Sequence, residues 1–144
     1  MTAASYQQWL NATGVEWVAL PDVSLDYSAG QEAALLRHPP SYLHLVWRNA
    51  HWQLWEVRGA PGLVTGPARL VSVGPDRIVL DVRAPGSVTL RMRYTPNWSV
   101  VSGQACLTAT GDGWIRVVSR TAGRIELAVS LVDHDQECSS GHVQ

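Results

Sequence analysis

Apolar and polar positions keep two different periods along this chain. From Ser5 to Ala12 the sequence is mostly polar, and Tyr6, Trp9 and Leu10 recur at spacings of three and four, which puts them on one helical face. Thr2 or Ser5 is placed to cap that helix, and Gly14 stands where a C-cap glycine belongs. Val15 to Leu20 reads as a strand ended by Pro21. Ser28 with Gln31 has the form of a capping box before a short helix, Gln31 to Arg37, which Pro39-Pro40 stops. Tyr42 to Arg48 and Trp52 to Arg58 read as strands joined through Asn49-Ala50-His51.

From about residue 67 the period changes to two. Ile78, Leu80 and Val82 alternate with Val79, Asp81 and Arg83, and Val88, Leu90, Met92 and Tyr94 alternate with Thr89, Arg91 and Arg93. Ile125, Leu127, Val129 and Leu131 alternate with Glu126, Ala128 and Ser130. One face of each strand is therefore expected to be buried and the other wet. Gly74-Pro75-Asp76, Ala84-Pro85-Gly86, Gly111-Asp112-Gly113 and Ala122-Gly123 supply turns, so roughly six or seven strands are predicted. In a hairpin between 78–83 and 88–93, a three- or five-residue connection keeps the faces sorted, and the five-residue register would set Asp81 opposite Arg91. The expected fold is α+β. An N-terminal α/β segment (1–58) precedes a mainly antiparallel β-sandwich (67–131), immunoglobulin-like or jelly-roll-like, and a flexible tail (132–144).

Composition narrows the function classes. The chain has 144 residues, enough for one domain with its own core. Its eleven basic residues are all Arg, against twelve acidic ones, for a net charge of −1. No nucleic-acid partner is expected, because phosphate neutralisation needs clustered excess positive charge. No stretch is long and apolar enough to span a membrane, and Met1 to Trp9 has neither the charged nor the apolar region of a signal peptide. The seven Trp and four Tyr, with no Phe, leave the aromatic residues as the richest material for a site.

No nucleophile elbow, P-loop, Gly-x-Gly-x-x-Gly, Cys-x-x-Cys or His-Glu-x-x-His occurs, so no catalytic residue and no cofactor is expected. His134, Cys138 and His142 sit among carboxylates near the C-terminus. A structural zinc takes four ligands from rigid elements, and that segment has no second ligand pair, so no metal is expected. Cys106 and Cys138 allow a disulfide or two free thiols. Asp22, Asp26 and Glu32 have the positions of capping and turn acids. Trp47, Trp52 and Trp55 gather around the first hairpin with His44 and His51, where they form either a sugar-stacking platform, a membrane-interface belt or core packing. Trp52, His51 and Trp98 are the candidate ligand-binding residues, although burial for area is the simpler use of Trp9, Trp17, Trp47, Trp52 and Trp98.

Four segments carry a family resemblance: Gly14-Val15-Glu16-Trp17-Val18, Leu25-Asp26-Tyr27-Ser28, Trp47-Arg48-Asn49-Ala50-His51-Trp52 and Tyr94-Thr95-Pro96-Asn97-Trp98. Through about residues 6–131 the chain resembles the C-terminal soluble portion of actinobacterial multi-pass membrane proteins of the GT-C glycosyltransferase-like kind, related in layout to YfhO-type proteins. The resemblance implies an extracytoplasmic, non-catalytic domain of, or split from, such a protein. Its implied partners are an envelope glycan, a lipid-linked sugar or the membrane protein itself. The acidic catalytic residues of the family lie near upstream helices, and no position here matches them. Met1 falls just inside the soluble portion, which implies a split or truncated gene or an excised domain; made alone, such a chain would stay cytoplasmic. The alternative is a stand-alone carbohydrate-binding β-sandwich.

Overall fold

The computed structural model describes residues 1–27, 29–130 and 138. The chain forms an α+β fold, mostly antiparallel β, divided into two compact units, Met1–Gly62 and Leu63–Gln144.

The first unit runs α1 (Ala3–Thr13), β1 (Trp17–Pro21), α2 (Gly30–Arg37), β2 (Leu43–Arg48) and β3 (Trp52–Val57). Helix α1 starts where the sequence signal places it. The Thr2 hydroxyl accepts from Ser5 N, and Ser5 Oγ accepts from Thr2 N, so two N-terminal amides are satisfied reciprocally. It ends at Gly14, whose φ of 72° is the left-handed conformation that spares a glycine the Cβ penalty. Helix α2 departs from expectation. Ala29 holds its N-cap position without a side-chain cap, and Asp26 Oδ1 accepts from Ala29 N at 2.7 Å; Ser28 lies outside the described residues.

The three strands form an antiparallel sheet in the order β1-β3-β2. Its inner face contributes Leu43, Trp55 and Val57 to a core completed by Tyr6 and Leu10 of α1 and Leu36 of α2. The Tyr42 hydroxyl donates to Ala3 O at 2.8 Å and ties the start of β2 to the start of α1.

The second unit is a sandwich of two four-stranded antiparallel sheets. Strands β4 (Val64–Thr65), β7 (Gly86–Arg93), β10 (Trp114–Ser119) and β9 (Ala105–Ala109) form one, in that order. Strands β5 (Ala68–Val73), β6 (Arg77–Val82), β11 (Gly123–Val129) and β8 (Trp98–Ser102) form the other. Both sheets feed a single apolar core, with Ile78, Leu80, Leu90, Ile115, Val117 and Leu127 fully excluded from water. Burying each such aliphatic side chain stabilises the fold by about 1.5–3 kcal/mol before entropy is counted.

The period-two parity holds through β6, β7 and β11 as far as Leu127; beyond the register slip at Glu126/Leu127, Val129 is exposed and Ala128 buried, contrary to the expected alternation. The expected hairpin does not form. Strands β6 and β7 lie in different sheets, so Asp81 does not oppose Arg91. Asp81 instead pairs across β5 with Arg69 at 2.9 Å and stands opposite Arg124 on β11. The Ala84-Pro85 link passes from one sheet to the other, and sorting of apolar faces is satisfied equally well by a crossing between sheets. Cys106 on β9 is bonded to Cys138. The rest of the expected tail, with His134 and His142, lies outside the described residues, and the Cys138 sulfur is committed to the disulfide.

Candidate functional site

The outward face of the first unit's sheet is built by strand parity. Trp17 pairs with Glu56, Ala19 with Leu54, and Pro21 with Trp52, so these six share the face turned away from the helices. Strand β2 adds His44, opposite Glu56, and Trp47, opposite Leu54. Trp47 reaches this face because the register slips between Leu45 and Trp47, leaving Val46 as a bulge residue. Without that extra residue Trp47 would follow Leu43 and Leu45 into the core. The result is three tryptophans, Trp17, Trp47 and Trp52, at 53%, 51% and 47% exposure, set around half-buried Leu54.

This exposure corrects the expectation that Trp9, Trp17, Trp47 and Trp52 are packing residues. Of the seven tryptophans, Trp55 at 7% exposure is the one buried in the first unit's core. Trp9 is equally exposed on α1, where its ring stacks on Tyr6 at 6.0 Å.

At one end of the face lies a cleft of about 310 Å³, lined by Leu20, Pro21, Asp22, Asn49, Ala50, His51, Trp52 and Gln53. Its floor is held by the hairpin tip. Asn49 Oδ1 accepts from both His51 N and Trp52 N at 2.8 Å, while Asn49 N donates to Trp52 O at 2.9 Å. The loop thereby acquires an Asx-type turn that fixes its backbone. Asp22 N donates to His51 O at 2.7 Å and joins the end of β1 to the tip. Asp22, Asn49 and His51 therefore line the cleft beside the exposed Trp52 on a fixed frame, while Gln53, paired with inward Leu20, has the opposite strand parity. Such a pairing of flat apolar area with hydrogen-bonding groups suits a ligand that is apolar on one side and hydroxylated at its edge.

Two of the candidate ligand-binding residues, Trp52 and His51, meet at this cleft. The third, Trp98, belongs to the other unit, where it stands opposite Val129 and packs against the sandwich core. Trp17 is missing from the sequence-based set. Its parity was available, since Trp17 and Ala19 alternate with the inward Val18 and Leu20. Among the described residues no group of three or more His, Cys, Asp or Glu side chains is placed to hold a metal ion, and no helix is long and apolar enough to cross a membrane. No family model, curated protein or solved structure matches the chain.

Proposed function

We propose that this chain is a non-catalytic, extracytoplasmic glycan-binding domain of an integral membrane glycosyltransferase-like protein, positioning an envelope glycan or lipid-linked sugar on the outward face of β1-β3-β2. The observation that carries this reading is the set of three half-exposed tryptophans sharing one sheet face beside a cleft with polar lining. A pyranose or furanose ring has C–H faces that stack on indole and hydroxyls that need donors and acceptors at the rim. Water-facing tryptophans gain nothing for folding from that exposed area, so their placement points to use in recognition. The Cys106–Cys138 disulfide supports an oxidising compartment, as the extracytoplasmic assignment requires.

The test is a glycan array probed with the full chain. Trp47→Ala and Trp52→Ala are expected to weaken binding to the glycans that score by about tenfold or more, as loss of an aromatic anchor does. Trp47→Tyr, which keeps a ring, retains most of the binding, and Trp9→Ala, on α1, retains all of it. Binding that is absent from the array, or unchanged in folded Trp47→Ala and Trp52→Ala, contradicts the reading.

A further inference from the structure

The two outward faces of the sandwich differ in how their charges are used. Residues 63–130 carry eight Arg against four carboxylates, Asp76, Asp81, Asp112 and Glu126. The β5-β6-β11-β8 face neutralises its own charge: Arg69 pairs with Asp81, Arg77 pairs with Glu126, and Arg124 stands opposite Asp81. The β4-β7-β10-β9 face has no acidic strand residue at all. One row crosses all four of its strands, Thr65–Thr89–Arg116–Thr108, each the cross-strand neighbour of the next. With strands about 4.8 Å apart, the row is roughly 14 Å long.

Arg116 is exposed and makes no ion pair or hydrogen bond among the described residues. Farther along β7, Arg93 lies over the Trp114 ring at 4.2 Å, and its Nη1 donates to Asp112 O at 2.9 Å. Stacking and that bond hold the guanidinium plane, so less side-chain freedom is lost when it takes a planar anion. Arg93 and Arg116 thus stand on one face with hydroxyls ranked beside them. Guanidinium groups with no acidic partner among the described residues are free to recognise carboxylates bidentately, and a row of threonine hydroxyls both donates to and accepts from sugar hydroxyls.

We infer that the outward face of the β4-β7-β10-β9 sheet binds an acidic, uronate-bearing polysaccharide, with Arg116 and Arg93 taking carboxylates and Thr65, Thr89 and Thr108 taking sugar hydroxyls. The occupant is selected by charge complementarity together with the hydroxyl row; a bare polyanion would use the arginines and leave the threonines idle. This second site stands on its own residues, so it survives or fails separately from the aromatic face of the first unit.

The full chain is titrated at physiological ionic strength with polygalacturonate, alginate and hyaluronan, with neutral dextran and inorganic polyphosphate for comparison. At least one uronate glycan is expected to bind, and dextran is not. Arg116→Gln weakens that binding by about tenfold or more, the usual scale for a hydrogen bond to a charged group. Arg124→Gln makes the same change in net charge on the opposite face and leaves binding within about twofold. Thr89→Val keeps charge and β-branching but removes a hydroxyl of the row, and weakens binding severalfold. The inference is overturned if none of the three uronate glycans binds, or if Arg116→Gln and Arg124→Gln act alike. It is equally overturned if polyphosphate binds as tightly as the glycans and Thr89→Val has no effect.

Discussion

Trp47 owes its position to its neighbour. Leu43, Leu45 and Trp47 alternate in the sequence as if they shared one face, and only the extra residue at Val46 separates them. A bulge leaves no mark in a period-two pattern, which is why Trp47 was legible as part of an aromatic cluster but not as an outward ring. Trp98 shows the converse: its parity with Val100 sends it inward, yet its polar neighbours Asn97 and Ser99 do not say so. Tyr6 is a second residue whose surroundings have consequences. Its ring is 1% exposed, and its hydroxyl makes no hydrogen bond of ordinary geometry. Burial first, then the Glu32 carboxylate, pushes its phenol well above the ordinary value of 10.0. The native state then keeps a proton that the unfolded chain releases above about pH 10, so stability is full below that pH and falls as pH rises further. Tyr6→Phe, nearly isosteric and free of the unpaired hydroxyl, is expected to leave neutral-pH stability unchanged or raise it by up to about 1 kcal/mol. It should also flatten the alkaline loss, with Tyr42, likewise raised by burial, supplying the remainder. Urea titrations at pH 7 and above pH 10 check both; a loss above about 1 kcal/mol at pH 7 would show that the hydroxyl has a partner after all.

Elements were more legible than their partners. Helix α1, both strands of the β2–β3 hairpin, the inward faces of β6 and β7, and that of β11 as far as Leu127 follow from caps, turn residues and alternation. Which strand neighbours which did not follow, because parity constrains faces and not sheet membership. Strands β6 and β7 bury the same kinds of residue whether they pair or sit in opposing sheets. The disulfide is an element-level constraint of the same kind. Spacing left Cys106 and Cys138 either free or bonded; the structure joins Cys138 to edge strand β9 across a separation of 32 residues, a loop that includes β10 and β11. Closing a loop of that length removes unfolded-state entropy equivalent to roughly 3–4 kcal/mol in the chain-entropy account. Cys106→Ser with Cys138→Ser is therefore expected to lower the denaturant midpoint by that free energy, read from urea curves of oxidised and variant chains at equal m-values. A change under about 1 kcal/mol would mean that the unfolded chain is already restricted there.

At the scale of the molecule, one chain carries two units with two kinds of outward face. The sheet of the first presents indole rings and a polar cleft; one sheet of the second presents arginine and threonine with no carboxylate on its strands. The α+β class and the change of period near residue 67 were readable because backbone periodicity acts locally. The exposed faces were not, since they depend on a bulge, a sheet order and the pairing of acids with particular arginines. Whether Trp17, Trp47 and Trp52 together form a glycan-binding face is read by 19F NMR of the full chain labelled with 5-fluorotryptophan. With the seven resonances assigned by single substitutions, titration of the oligosaccharide that binds best on the array should shift Trp17, Trp47 and Trp52 together and leave buried Trp55 in place. Shifts confined to Trp9, Trp98 or Trp114, or no shift at any indole while binding occurs, would contradict it.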